Sequence, residues 1–113
     1  MCSSTTCGRS DIVVTQTITM KLVLGKPEFL VEVNNMCSCP QANIRLACHG
    51  FQTVETPDPA ILRKEDRGSI CLVNSGRPVL PHNTVSFAYA WDKPTEFALA
   101  SASPECPPGM NID

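Results

Sequence analysis

The chain has 113 residues, a net charge of −2 and a pI near 5.6, with 42% apolar and 18% charged residues. That length suits one domain with one core, and the mild acidity supplies no positive field for a phosphate backbone, so nucleic acid is not expected as a partner. No apolar run approaches the roughly 18 residues of a spanning helix, so membrane insertion is not expected either. Seven cysteines are far more than an ordinary cytosolic domain of this size carries and point to an oxidising compartment. No leader with a charged and then an apolar region precedes Cys2, so a secreted form is expected to be the mature one.

In chain order, DIVVTQTITMKLVLGKPEFLVEVNNM holds two β-branched, apolar runs, Ile12 to Leu24 and Phe29 to Val33, which read as strands around a turn at Gly25-Lys26-Pro27. Phe29, Val31 and Val33 alternate with Leu30, Glu32 and Asn34, the two-residue period of a strand with one face on a core. ANIRLACHGFQTV repeats it, with Ile44, Leu46 and Cys48 on the inward face. ETPDPAILRKEDRGS carries two prolines, a run of charge and a closing Gly68, which predicts a long mobile connection with a helical turn at Pro59 to Lys64. A short strand at Ile70 to Val73 and a turn at Asn74-Ser75-Gly76 follow, then a strand in which Val85, Phe87, Tyr89 and Trp91 share a face. Asp92-Lys93-Pro94 makes a turn, Glu96 to Ser103 a last strand, and residues 104–113 a proline-rich tail tied down by Cys106. The whole predicts an all-β protein: one domain over residues 1–113, an antiparallel β-sandwich of about six or seven short strands, stabilised by disulfides.

NNMCSCPQANIRLACHGF concentrates Cys37, Cys39 and Cys48 beside His49. Zinc wants two close ligand pairs, and a strand through Cys48 and His49 would send them to opposite faces. A thioredoxin-type site needs Cys-x-x-Cys, which is absent. The remaining role is disulfide anchoring by Cys7, Cys37, Cys39, Cys48, Cys71 and Cys106, with 15 connectivities open and Cys2 left over, free or available for an intermolecular bond. His49 and His82 have no nucleophile motif tied to them, and Glu55, Asp58, Glu65 and Asp66 read as solvated loop carboxylates rather than an acid/base pair. No cofactor, metal or catalytic residue is predicted, and the chain is not expected to be an enzyme. Tyr89 and Trp91 would make a sugar platform if exposed, but alternation with Ser86, Ala88 and Ala90 places them in the core.

The order of motifs CGRSDIVVTQ, GKPEFLVEVNNMCSC, IRLACHGFQTVETPDPAIL, ICLVNSGRPV, VSFAYAWD and Cys106 resembles the plant TAPETUM DETERMINANT family of small secreted cysteine-rich proteins. The likeness runs from about Cys7 to Cys106, matches six cysteines and leaves Cys2 outside the pattern. It implies a secreted, extracellular (apoplastic) signal without catalytic residues, whose partner is the ectodomain of a leucine-rich-repeat receptor kinase, as for founding members that instruct anther and tapetum cell fate. Receptor contact is expected at Arg63, Lys64, Glu65, Asp66 and Arg67, where charge can steer an encounter. The alternative is an extracellular carbohydrate-binding or wall-associated sandwich.

Overall fold

The computed structural model describes residues 7–65 and 68–106. After a 3-10 turn at Arg9–Asp11, seven strands follow: β1 (Ile12–Val23), β2 (Lys26–Asn35), β3 (Gln41–Ala47), β4 (Leu62–Glu65), β5 (Ile70–Val73), β6 (Thr84–Ala90) and β7 (Ala98–Pro104). They form two antiparallel sheets, ordered β1-β2-β6 and β4-β5-β3-β7. The predicted disulfide-bonded sandwich is therefore the observed architecture. Among the described residues no helix is long and apolar enough to cross a membrane.

β1 and β2 form a long hairpin in which Val23 faces Lys26 across Leu24-Gly25. Both turn residues have positive φ (51° and 79°), so this two-residue turn twists with its strands. The turn thus comes earlier than Gly25-Lys26-Pro27, and Lys26 and Pro27 already belong to β2. Period-two burial runs through β2, where Phe29, Val31 and Val33 point inward. Ile44, Leu46 and Cys48 answer from the other sheet, and all three are buried. Between the sheets, the rings of Phe29, Phe51, Phe87, Tyr89 and Phe97 meet at centroid distances of 5.2–5.7 Å, mostly edge to face. Edge-to-face contacts of this kind add to the area the rings bury.

Two polar side chains inside the sandwich fix its loops. Asn35 is fully buried at the inward position two beyond Val33. Its Nδ2 donates to the carbonyls of Cys39 and Val79 at 2.9 Å, and its Oδ1 accepts from the Cys37 N–H at 3.0 Å, which sets the Cys37-Ser38-Cys39 loop. The Tyr89 hydroxyl, also buried, donates to Gln16 Oε1 and accepts from the Thr95 N–H at 2.7 Å. Gln16 Nε2 in turn donates to the Thr95 carbonyl at 2.9 Å, so one network joins β1, β6 and the β6–β7 connection.

The structure corrects further local expectations. The charged stretch is not one long mobile loop. Asp58 caps a turn by accepting the Ile61 and Leu62 N–H groups, and Leu62–Glu65 then runs extended as β4 against β5. The predicted helical turn through Lys64 is replaced by that strand, because Leu62 has a core position to fill opposite Val73. Trp91 lies one residue past the end of β6 and is half-buried outside the core, with its N–H on the Pro27 carbonyl at 3.3 Å and Lys26 Nζ 5.4 Å above its ring. The last strand starts two residues later than expected, at Ala98. Asp66, Arg67, Cys2 and the tail beyond Cys106 lie outside the described residues.

Tyr89→Phe keeps the ring and removes the hydroxyl that the buried Thr95 N–H requires. It is expected to cost about 1–3 kcal/mol in urea unfolding, and a variant as stable as wild type would show the network to be dispensable.

Candidate recognition surface and the disulfide scaffold

All six paired cysteines are those expected, and the connectivity is Cys7–Cys37, Cys39–Cys106 and Cys48–Cys71, spanning 30, 67 and 23 residues. Cys48–Cys71 lies within the main core and ties the end of β3 to β5, where Leu46 and Cys71 are paired in register. The other two bridges pack together in a second small cluster at the Cys37-Ser38-Cys39 loop. The sulfurs of Cys7, Cys39 and Cys106, and those of Cys7 and Cys37 with a carboxylate oxygen of Asp11, come within 4.8 Å of one another. Those sulfurs are joined in disulfides and are not thiolates, so these groupings do not fit a metal.

Of the charged recognition candidates, Arg63 and Lys64 are exposed and Glu65 half-buried on β4, an edge of its sheet. Strand placement divides their roles. Glu65 pairs with Arg45 at 2.9 Å across the sheet, which largely cancels both charges locally. Lys64 Nζ donates to the Phe51 carbonyl at 2.8 Å and sits 5.4 Å over the Phe51 ring, so it anchors the β3–β4 connection to the sheet edge. Arg63 stands as the exposed cation beside a shallow groove of about 330 Å³, which Arg63 and Lys64 share with Phe51, Pro57, Pro59 and Leu62. A cationic rim on an apolar, proline-walled groove can take an extended segment with an acidic side chain.

The sugar-platform geometry does not form. Tyr89 is fully buried, and Trp91 lines a different groove, of about 440 Å³, with His49, Lys93, Pro94 and Glu96. A single half-buried indole replaces the pair of stacked rings that reading required.

The loop carboxylates hold a surprise that spacing does not reveal. Glu55 lies beside Glu28 on β2, close enough for each to shift the other's carboxyl. Glu28 accepts the Thr19 hydroxyl at 2.7 Å and has Lys21 Nζ at 4.0 Å, and the Thr19 hydroxyl, with Glu55 and Lys21, holds it below the ordinary carboxylate range. Glu55 has a buried Oε1 that receives no hydrogen bond. Burial first, and then the neighbouring Glu28, push its carboxyl above that range. The two neighbouring acids are thus shifted in opposite directions, Glu55 raised and Glu28 lowered. The only signal for the pair in the sequence is Glu28 itself, an acid just ahead of the inward alternation of β2.

The model of the family described as "Tapetum determinant 1, C-terminal" matches residues 8–107. Among relatives, the Arabidopsis thaliana protein named TPD1 protein homolog 1 is 36% identical over 99 residues, covering 86% of this chain and 55% of its own length. TPD1 protein homolog 1A of Oryza sativa subsp. japonica is 33% identical over 104 residues, with 85% of this chain and 46% of its own covered. An uncharacterized Arabidopsis thaliana protein is 41% identical over 78 residues, covering 67% of this chain and 59% of its own. The chain spans about half the length of the curated relatives it matches. No solved structure matches.

The raised Glu55 carboxyl contributes stability that is complete below its unfolded value of 4.5 and is lost as pH rises through its folded value. The lowered Glu28 carboxyl contributes stability present above 4.5 and lost as pH falls through its folded value. Stability from the pair is therefore greatest around pH 4.5 and falls on both sides. Glu55→Gln, which stays neutral, is expected to remove the fall on the alkaline side in urea unfolding followed against pH, and an unchanged profile would break the assignment. With the family's match extending over residues 8–107 and its six cysteines paired on one β-sandwich, the chain belongs to the Tapetum determinant 1 family.

Proposed function

We propose that this chain is a secreted plant developmental signal of the apoplast, recognised by the ectodomain of a leucine-rich-repeat receptor kinase and carrying out no catalysis itself. The observation that carries the reading is the family match across residues 8–107. Two physical features support it. Three disulfides in a small domain belong with export to an oxidising space, where glutathione and thioredoxin do not reduce them. A repeat receptor offers an extended concave surface, and an edge strand with a cationic rim is a compact shape for such a surface to grip.

Within the charged candidates, the contact belongs chiefly to Arg63, since Lys64 is engaged by Phe51 and Glu65 by Arg45. Arg63 is exposed, makes no ion pair with any described residue and faces the groove beside Pro57 and Pro59. The carbohydrate-binding alternative lost its stacking platform when Tyr89 proved to be buried.

Refolded, oxidised protein is expected to bind at least one ectodomain in a panel of plant leucine-rich-repeat receptors, measured by calorimetry or biolayer interferometry. Arg63→Glu is expected to weaken that binding about tenfold while thermal unfolding stays as in wild type. Equal affinity would remove Arg63 from the contact, and no binding across the panel would overturn the ligand reading.

A further inference from the structure

β1 is an edge of its sheet, twelve residues long, without proline and with Lys21 as its one charged residue. Native edges of this length are ordinarily blunted by charge, proline or cover, because a bare edge offers unpaired N–H and C=O groups to any other strand. Two of the three other edges of the fold are managed. β4 carries Arg63, Lys64 and Glu65, and along β6 the Val54 N–H bonds the Ala90 carbonyl at 2.9 Å while Thr53 Oγ1 accepts the Ala90 N–H at 3.0 Å. The β1 hairpin also collects most of the exposed large apolar side chains among the described residues, with Val13 41% and Ile18 55% exposed within the regular part of the strand.

The sequence of β1 is self-complementary. In an antiparallel pair, opposed residues share a face, so a two-fold axis through β1 must match inward residues with inward ones, which allows only registers centred on a single residue. Centring on Gln16 in Val13-Val14-Thr15-Gln16-Thr17-Ile18-Thr19 sets Thr15 against Thr17 of the second copy and Val14 against Ile18. Like thus meets like, hydroxyl with hydroxyl and β-branched with β-branched, the pairs that stabilise a ladder. Centring on Thr15 or Thr17 instead sets Gln16 against Val14 or Ile18, a polar side chain against an apolar one.

We propose that β1 is a homodimer interface: two copies pair antiparallel through their β1 edges about Gln16 and join the two three-stranded sheets into one of six strands. The arrangement is isologous, so it closes at two copies and does not propagate. It covers Ile18 with Val14 of the other copy and satisfies the edge. The seven residues from Val13 to Thr19 give a seam about 23 Å long at roughly 3.3 Å per residue. This inference does not depend on the receptor reading, since it rests on an edge at the far side of the fold's β4 groove in strand order.

The test uses the full chain carrying Cys2→Ser, so that no bond at Cys2 can hold two copies together. Sedimentation equilibrium up to about 100 μM, a concentration that detects even weak specific association, is expected to give twice the 12.2 kDa chain mass. Thr15 and Thr17 are both exposed, so a Thr15→Lys/Thr17→Lys variant and a Thr15→Glu/Thr17→Glu variant are expected to fold. Each alone sets like charges across the axis twice and is expected to weaken dimerisation about tenfold or more, whereas an equimolar mixture restores it as a heterodimer. A monomeric wild type, dimers untouched by the lysines, or a mixture that stays monomeric would each overturn the proposal. Hydrogen exchange on the unsubstituted chain gives an independent reading: β1 amides should slow as concentration rises, and protection that ignores concentration would also overturn it.

Discussion

The structure hangs on the Cys37-Ser38-Cys39 loop, because three distant parts of the chain meet there. Cys39–Cys106 closes a 67-residue loop and brings the end of β7 back beside the start of β3, and Cys7–Cys37 fastens the N-terminal turn to the same place. The short loop between two adjacent bridges still has conformational freedom of its own. Asn35 removes that freedom by donating to the Cys39 carbonyl and accepting from the Cys37 N–H, and its second donation to Val79 ties in the approach to β6. A buried amide with both ends satisfied in this way acts more as a locator than as a source of net stability.

The rest of the sandwich is arranged around that fastening. With one end closed by disulfides, the core between the sheets is filled from the other direction by five aromatic rings and by Cys48–Cys71. Tyr89 serves both needs, since its ring is in the aromatic cluster and its hydroxyl organises Gln16 and Thr95. A 113-residue β domain has little apolar area to spare, and covalent closure of long loops offsets part of the chain entropy that the core must overcome.

Where burial alternates along a single strand, the chain could be read directly. Phe29, Val31 and Val33 in β2, Ile44 and Leu46 in β3, and Phe87 and Tyr89 in β6 all point where their spacing places them. β4 was illegible for a physical reason: an edge strand of four residues has one inward position, Leu62, and spends its remaining side chains on charge, which on paper is indistinguishable from a loop. Trp91 was misplaced because alternation says nothing about where a strand stops. The six bridging cysteines could be named but not paired, since 15 connectivities satisfy the same spacing. The Glu28–Glu55 contact depends on how residues 53–55 are laid beside β6, and no local pattern encodes that.

Charge on the page suggests recognition, yet in the fold two of the three described charged candidates serve the scaffold: Lys64 holds Phe51 in place and Glu65 holds Arg45. Apolar residues on the page suggest core, yet Ile18, Met20, Leu22 and Leu24 of the hairpin are all more than half exposed. The sandwich has thus moved charge into its own support and left hydrophobic side chains outside. A β domain that only needed to remain folded would gain from the reverse, because an exposed apolar edge invites pairing that a lysine or two would prevent at negligible cost. Retaining such an edge while guarding β4 and β6 is intelligible when the unguarded strand is meant to be covered, and the self-matching order of side chains about Gln16 names a second copy of the same strand as the cover.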